Sequence, residues 1–144
     1  MGDSTRQART ALAAALDQVG DRWSLLVVEA LLSGPRRWSE LSQEVSGIAP
    51  NVLSDRLQRL ERQGVVTSEP YSDRPLRHTY GLSAAGLELA GALRLLADWG
   101  AGREEGAVAP RHQACGTPMG VRWHCPTCDL TVEGDPPDAE IVTV

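Results

Sequence analysis

Four side chains near the end of the chain have the types and the spacing of metal ligands. His112 precedes Cys115 by three residues, and Cys125 precedes Cys128 by the same distance. A turn between such pairs directs both donors at one ion, and one imidazole with three thiolates forms the tetrahedral donor set of a closed structural zinc site. The sequence therefore predicts Zn²⁺ bound by these four residues in a zinc-ribbon-like segment, residues 112–132. With no open coordination position, the metal would have no catalytic role.

Other interpretations of these residues stay open. His124 competes with His112 for the fourth position, although its adjacency to Cys125 makes shared coordination awkward. Cys125 and Cys128 would alternatively form a redox pair, but a nucleophilic thiol of that kind belongs at a helix start, and no βαβ unit is visible. A third alternative is that the thiols serve no site. His78, in a predicted strand, is interpreted as a sheet residue rather than a ligand.

A second group of polar side chains lies on a predicted helix over residues 50–63. Leu53, Leu57 and Leu60 recur at i, i+4 and i+7, so a narrow apolar stripe anchors this helix and leaves a broad hydrogen-bonding face. In a DNA major groove, amides on such a face read adenine and a guanidinium reads guanine. Asp55 would accept from cytosine or, as we favour, orient Arg59 across one helical turn. The predicted base contacts are Asn51, Ser54, Asp55, Gln58 and Arg59.

Further groups around this helix are predicted to contact DNA phosphates. A shorter helix before it begins near residue 38, and backbone N–H groups and the dipole at a helix start favour phosphate. Arg56 lies on the flank nearer the core, which assigns it to the backbone rather than to a base. The predicted phosphate contacts are Arg36, Arg37, Ser39 and Arg56.

Two β-prone runs, residues 65–71 and 76–82, flank a turn at residues 72–75. They predict a β-hairpin, the wing. Its tip, residues 71–77, would place Arg74 and Arg77 on the neighbouring DNA backbone or in the minor groove.

The remaining pattern predicts the elements that position these groups. Gly20 ends a first helix, Asp21 caps a second, nearly all-apolar core helix, and Ser83 caps a long last helix. The predicted helices are residues 8–19, 22–33, 38–45, 50–63 and 84–100. Because Gly47 turns the chain between the third and fourth helices, they form a helix-turn-helix. The predicted fold is mainly α with a small β-hairpin wing (α+β), a winged helix-turn-helix followed by a zinc-ribbon-like segment.

Composition divides the chain into a DNA-binding part and an acidic end. The formal net charge is −5, yet residues 34–80 carry seven Arg against six acids, whereas residues 101–144 carry three Arg against seven acids. A modest basic stripe on an acidic protein suits binding to a specific site with little affinity for random DNA. The predicted parts are a disordered 1–7, a DNA-binding and dimerisation domain 8–101, a linker 102–111, the zinc-ribbon-like segment 112–132 and an acidic tail 133–144.

Several classes of protein are disfavoured. No apolar run approaches the roughly 20 residues that span a bilayer, and the first residues show no apolar signal region, which together predict a cytoplasmic location. A Gly-rich phosphate loop, a nucleophile elbow and a plausible carboxylate pair are all missing, so the sequence predicts that the protein is not an enzyme.

Several motifs occur together in a characteristic order. Gly20-Asp21-Arg22-Trp23, Gly34-Pro35-Arg36-Arg37-Trp38, Ile48-Ala49-Pro50-Asn51 with Leu53-Ser54-Asp55-Arg56-Leu57, and Tyr80-Gly81-Leu82-Ser83 follow one another. Over about residues 10–101 the chain resembles the HxlR-type family of winged-helix transcription regulators. The resemblance implies a homodimer held by the first helix (8–19) and the long helix (84–100), and a regulator, here taken as a repressor, of a nearby gene.

The chain departs from this family at two points. Members often carry a redox-sensing Cys just before the first helix, whereas here the first Cys is Cys115, which disfavours that switch. Ala49 stands where a Ser or Thr usually caps the recognition helix, at a cost of about 1 kcal/mol in capping. A small-molecule effector, in pockets beside Trp23 and Trp99, is a further expectation.

A competing hypothesis is a winged-helix and zinc-ribbon module that binds a protein partner without specific DNA binding. Grouped Arg residues disfavour it, since a protein-docking face would expose aromatic or aliphatic side chains. Salt dependence separates the two hypotheses, because DNA binding weakens steeply as salt rises.

Overall fold

The computed structural model describes residues 10–132, which divide into two compact units between Leu93 and Arg94. The predicted disordered segment 1–7 and acidic tail 133–144 lie outside the described residues. The elements are α1 Ala11–Val19, α2 Arg22–Leu31, β1 Arg36–Arg37, α3 Trp38–Glu44, α4 Pro50–Arg62, β2 Val66–Asp73, β3 Leu76–Leu82, α5 Ala84–Leu87, α6 Ala90–Ala101, β4 Trp123–Cys125 and β5 Leu130–Val132. A mixed α+β architecture is thereby confirmed.

Side-chain caps define the starts of three helices. The Thr10, Asp21 and Ser83 side chains each accept a hydrogen bond from the backbone N–H three residues later, at the starts of α1, α2 and α5. Each bond satisfies a donor that a helix start would otherwise leave unpaired. The predicted caps at residues 21 and 83 are confirmed.

The core of the first unit lies between α2 and α4, with the base of the sheet beside them. Leu53, Leu57 and Leu60 are at most 1% exposed, as their spacing predicts. They meet the buried face of α2, and the helix-turn-helix packs onto the same cluster. The buried apolar residues are Val19, Val27, Val28, Ala30, Leu31, Leu41, Val45, Ile48, Leu53, Leu57, Leu60, Val65, Val66 and Leu93.

The helix-turn-helix consists of α3 and α4. Gly47 has a φ of +80°, a left-handed conformation that glycine adopts without a Cβ clash. Pro50 occupies the first turn of α4, where its missing N–H costs nothing. Ala49 supplies no capping side chain, as its identity predicts.

Three antiparallel strands form the wing sheet, in the order β1-β3-β2. Val66 pairs with Leu82, and the register runs out to Asp73 opposite Leu76, with a bulge between Pro70 and Ser72. The third strand, β1, is not predicted by the sequence pattern, because two residues show no periodicity. It pairs with β3 and ties the start of α3 to the wing.

The predicted long helix 84–100 is wrong in one respect, since it is two helices. Leu89 N–H bonds to the Gly86 carbonyl, a tight turn that ends α5 before α6 begins at Ala90. Gly86 is buried, and a Cβ there would lie 2.2 Å from the Val65 carbonyl oxygen. This close approach binds α5 to the chain ahead of β2, and the break lets α6 start separately.

The second unit contains a two-stranded hairpin. Trp123 pairs with Val132, and Cys125 pairs with Leu130. The hairpin encloses the Cys125-x-x-Cys128 turn. Arg111 and Pro118 form a separate antiparallel bridge.

Candidate nucleic-acid interface

The exposed side of α4 carries amide and carboxylate groups. Asn51, Asp55 and Gln58 are exposed, whereas Ser54 is half-buried. The apolar stripe on the opposite side holds the helix to the core, so these exposed groups point away from it. The structure therefore exposes three of the five predicted base-reading side chains to solvent.

Ser54 has a partner within the protein. Its hydroxyl oxygen accepts a hydrogen bond of 3.1 Å from the indole N–H of Trp38. Because Trp38 begins α3, this bond links the two helices of the helix-turn-helix. The hydroxyl retains its own proton to donate, so a DNA contact by Ser54 stays a prediction.

Arg56 is bound by two acids. Its Nε donates to Asp21 at 2.8 Å, and its Nη1 donates to Asp55. Asp55 thus pairs with Arg56, and not with Arg59 as the favoured interpretation of the sequence has it. The ion pair with Asp21 is half-buried, with side-chain exposures of 24% and 29%.

Arg59 reaches the same junction between α1 and α2. Its Nη2 donates to the Asp17 carbonyl at 2.8 Å, and its Nη1 lies 3.9 Å from the Asp21 carboxylate. DNA contacts by Arg56 and Arg59 stay predictions, since each guanidinium has five N–H donors and keeps some of them free. From the sequence, Asp21 is predicted only as a helix cap. Its second role depends on contacts 35 residues apart, which a local pattern does not reveal.

Asp21 is the centre of this junction. Its carboxylate accepts hydrogen bonds from the Ser24 N–H at 3.0 Å and from the Ser24 hydroxyl, besides the one from Arg56. Partial burial alone would raise the pKa of Asp21, but hydrogen bonds from Ser24 and Arg56 and the Arg56 charge outweigh it and lower this pKa to about 2.

We expect the lowered pKa of Asp21 to make the folded protein less stable in acid. A carboxylate whose pKa falls from 3.8 when unfolded to about 2 when folded stabilises the fold above pH 4. That contribution, about 2 kcal/mol at 1.36 kcal/mol per pKa unit, is lost as pH falls from about 5 to 2. Urea unfolding of the wild type and of Asp21→Asn at several pH values measures it. The difference in free energy of unfolding between the two proteins should become smaller in acid. A difference that does not change with pH would contradict the lowered pKa of Asp21.

Arginines also surround the wing. Arg74 and Arg77 are exposed, and neither side chain has a hydrogen bond or ion pair among the described residues. The Arg37 guanidinium lies 4.7 Å from the centre of the Tyr71 ring, a cation–π contact. Arg36 lies in β1 rather than in a helix, and its Nε donates to Glu44 at 3.0 Å. Four cations thus lie on or beside the hairpin.

Comparison with known proteins gives the family. The model of the HxlR-like helix-turn-helix family matches residues 18–106, from the end of α1 past the end of α6. This span contains α3, α4 and the wing. The chain belongs to the HxlR-like helix-turn-helix family.

Relatives of this HxlR-like chain share most of its length. An uncharacterized HTH-type transcriptional regulator of Mycobacterium tuberculosis is 38% identical over 118 residues, 79% of this chain and 74% of the relative. YvaP, an uncharacterized HTH-type transcriptional regulator of Bacillus subtilis, is 36% identical over 85 residues, 59% of this chain and 79% of YvaP.

Solved structures agree with the family. The transcriptional regulator YtcD matches with a TM-score of 0.61 and 32% identity over 65% of this chain and 96% of its own. A MarR-family regulator of Enterococcus faecalis matches with a TM-score of 0.57 and 32% identity, over 69% and 91%. Family and relatives identify a transcription regulator and not an enzyme. Within residues 10–132, no helix has the length and apolarity to cross a bilayer.

The second unit continues beyond the HxlR-like match and forms two turns with one backbone pattern. Gly116 N–H bonds to the His112 carbonyl at 2.7 Å, and Asp129 N–H bonds to the Cys125 carbonyl at 2.9 Å. Gly116 and Asp129 have φ values of +70° and +55°. In each turn the two predicted ligands lie three residues apart and a left-handed residue follows the second one. We call them the first and the second knuckle.

The ligands approach each other within each knuckle. The Nδ1 of His112 lies 3.2 Å from the Sγ of Cys115. Hydrogen bonding with Thr117, and then with His112, lowers the pKa of Cys115 to about 7. Backbone N–H groups of Cys128 and Thr127 lower the pKa of Cys125. Thiolate character at both positions suits metal binding.

The structure does not bring the two knuckles together. In the described part of the chain, no three His, Cys, Asp or Glu side chains form a group that could hold a metal ion. His124 points its Nε2 at the Asp129 carboxylate, 3.0 Å away. Of the two candidate histidines, His112 is therefore the one paired with a cysteine.

Proposed function

We propose that the protein is a dimeric, sequence-specific DNA-binding repressor that inserts α4 into a major groove and lays the wing tip, residues 71–77, on the adjacent backbone or minor groove. The observation that carries this proposal is the exposed polar side of α4 together with a wing whose Arg74 and Arg77 side chains have no hydrogen-bond or ion-pair partner among residues 10–132. Its setting is a family of helix-turn-helix regulators. Such a role belongs in the cytoplasm, as the sequence predicts.

Asn51 and Gln58 are the strongest candidates for base reading. Both are exposed, and an amide donates and accepts in the bidentate pattern that adenine presents, for about 1–3 kcal/mol per pair. Arg56 and Arg59 are held by Asp21 and Asp17, so they would reach DNA only with their remaining donors. We assign them to phosphate and guanine as secondary contacts.

A dimer is supported by exposed apolar side chains on the two helices that the family resemblance assigns to it. On α1, Leu12 and Leu16 are 65% and 52% exposed, and on α6, Leu96 and Trp99 are 55% and 61% exposed. Large apolar groups exposed in this way on a single chain mark surfaces that a partner covers. The proposed partner is a second copy of the chain.

Selection of binding sites from random DNA, followed by titration of variants, tests the proposal. A dimer should select two inverted half-sites. Gln58→Ala is expected to weaken binding to the selected site about tenfold but to leave non-specific binding unchanged. Arg74→Gln should weaken both and reduce the slope of log affinity against log salt by about 1, because one phosphate contact is lost.

Arg122→Gln is the matched control for Arg74→Gln, since it removes an equal charge from an exposed side chain of the second unit, outside the helix-turn-helix, the wing and the proposed dimer helices. Equal effects of the two Arg variants would contradict the wing contact. A selection that yields no enriched sequence, with salt-insensitive binding to a protein partner instead, would favour the protein-interaction module.

We also infer that the second unit binds a structural Zn²⁺ through His112, Cys115, Cys125 and Cys128. The support is the repeated knuckle backbone and the lowered pKa values of Cys115 and Cys125, with a donor set of one imidazole and three thiols. Bound zinc would hold the two knuckles of this small, poorly buried unit together.

Elemental analysis of the purified full-length protein is expected to find one zinc per chain. Cys128→Ser should lose it, whereas the control His124→Ala should keep it because His124 pairs with Asp129. Chelation should make residues 108–132 more sensitive to protease, since the unit loses its main constraint. Wild-type protein without zinc would refute the site. Loss of zinc in His124→Ala would mean that His124, and not His112, is the fourth ligand.

A further inference from the structure

Asp55 lies in the middle of the exposed side of α4. At 100° per residue, it points within about 60° of both Asn51, four residues earlier, and Gln58, three residues later. Its side chain is 61% exposed. A major groove that receives these two amides therefore also receives the Asp55 carboxylate.

Arg56 holds this carboxylate from the side of the core. Its Nη1 donates to the Oδ2 of Asp55, and its Nε donates to the Oδ1 of Asp21 at 2.8 Å. The Arg56 side chain is only 24% exposed. Because a guanidinium is planar and rigid, its attachment to Asp21 fixes the direction in which its other nitrogen meets Asp55.

The start of α2 fixes Asp21 in turn. The carboxylate of Asp21 accepts from the N–H and from the hydroxyl of Ser24, which is fully buried. A continuous chain of hydrogen bonds thus leads from a buried serine through Asp21 and Arg56 to the centre of the exposed side of α4. A side chain that is held in place before binding loses less conformational entropy when it contacts a ligand.

The chemistry of a carboxylate selects among the four bases. An ionised carboxylate only accepts hydrogen bonds. In the major groove, guanine presents two acceptors and thymine presents an acceptor and a methyl group, so neither base offers Asp55 a donor. Adenine has an amino group, but its N7 acceptor beside that group repels a carboxylate. Cytosine presents its amino group without such an acceptor on the same base, and it is the base that suits Asp55.

We propose that Asp55 selects a cytosine in each half-site of the operator, and that Arg56 is a positioning residue that holds the Asp55 carboxylate toward this base. The inference rests on the proposed function, because α4 must enter a major groove. A different base at this position would leave a desolvated carboxylate without a donor, so Asp55 also acts against wrong sequences. The role of Arg56 adds to the secondary phosphate contact assigned to it above.

Selection from random DNA with the full-length wild type and with Asp55→Asn tests the role of Asp55. The wild type should select a cytosine at one position of each half-site, and replacing that cytosine should weaken binding about tenfold. Asp55→Asn keeps the shape and removes the charge. Since an amide reads adenine, the selected base should change from cytosine to adenine at that position alone. Identical selected sequences for the two proteins would overturn the proposal.

Arg56→Gln tests the positioning role. It should reduce the preference for cytosine from about tenfold to about two- to threefold and leave the preferences at other positions unchanged. In the Asp55→Asn background, the same substitution should have no further effect on base preference. If Arg56→Gln instead weakens binding to all sequences equally and keeps the full preference for cytosine, Arg56 acts on phosphate alone and the positioning role is refuted.

Two further variants keep this test independent of stability. The preference is a ratio of affinities for two DNA sequences, so it does not depend on the fraction of folded protein. Arg56→Lys keeps the charge but lacks the planar fork that spans Asp21 and Asp55, and it should also lower the preference. Arg62→Gln removes an equal charge from the exposed end of α4 and should leave the preference for cytosine intact. Equal losses of preference in Arg56→Gln and Arg62→Gln would show a general charge effect and would refute the positioning role.

The same selection separates this inference from the proposed function. If no sequence is enriched, the proposed function fails and the inference fails with it. If two inverted half-sites are enriched but their bases do not change in Asp55→Asn, the inference fails alone and the regulator remains.

Discussion

Leu57→Ala is expected to lower the free energy of unfolding by about 3 kcal/mol, within the range of about 2–5 kcal/mol for Leu→Ala in a core. Leu57 is 1% exposed at the centre of the stripe that attaches α4 to the protein. Removing its isobutyl end takes away transfer free energy and leaves a cavity, because rigid helices on both sides relax only in part. Since α4 is the proposed reading helix, its loosening should also weaken operator binding.

Urea unfolding monitored by tryptophan fluorescence and by circular dichroism measures this loss. Leu76→Ala makes the same change at a wing residue that is 64% exposed and should cost less than about 0.5 kcal/mol. Leu57→Met, which conserves volume, should cost less than about 1.5 kcal/mol. Similar losses at Leu57 and Leu76 would mean that α4 is not anchored through its leucine stripe.

Asp21→Ala is expected to cost about 2–3 kcal/mol. The substitution removes the cap of α2, worth about 1 kcal/mol, and it also leaves the half-buried Arg56 without its main counter-ion. An alanine methyl cannot accept the hydrogen bonds from Ser24 and Arg56 or form the ion pair with Arg59. The loss should therefore exceed that of an ordinary cap substitution.

Two further variants separate these contributions. Asp21→Asn keeps a capping oxygen and loses the charge, so its cost should fall between those of the wild type and Asp21→Ala. Asp73→Ala, at the exposed wing tip, should cost less than about 0.5 kcal/mol. If Asp21→Asn is as stable as the wild type near neutral pH, the ion pair with Arg56 contributes nothing and only the cap matters.

Local patterns account for most of the first unit. Helix caps at Asp21 and Ser83, the leucine stripe of α4 and the turn at Gly47 each depend on residues a few positions apart. Such short-range preferences are legible in a sequence. The wing hairpin belongs with them, since its strands are adjacent in the chain.

Features set by distant partners were beyond this kind of prediction. The Asp21–Arg56 pair joins residues 35 positions apart, and β1 exists only because Tyr80 and Thr79 lie opposite it. The break between α5 and α6 lies just after Gly86, the residue that approaches the Val65 carbonyl. Each depends on tertiary packing that overrides local propensity.

In the candidate site, too, some features follow from local sequence and others depend on distant contacts. Residue types and helical phase place Asn51, Asp55 and Gln58 on an exposed face, and the structure agrees. The internal partners of Arg56 and Arg59 follow from the packing of α4 against the α1–α2 junction, which no periodicity encodes.

The contacts of Arg59 give the recognition helix a mechanical connection. This side chain belongs to α4, yet it grips the last turn of α1 through the Asp17 carbonyl and the first turn of α2 through Asp21. In a dimer built on α1, a tilt of that helix would therefore also move α4, because Arg59 connects the two. The distance between the α4 helices of the two protomers would then depend on how the α1 helices pack in the dimer. The Arg59 contact would determine how closely the movement of α4 is coupled to that of α1.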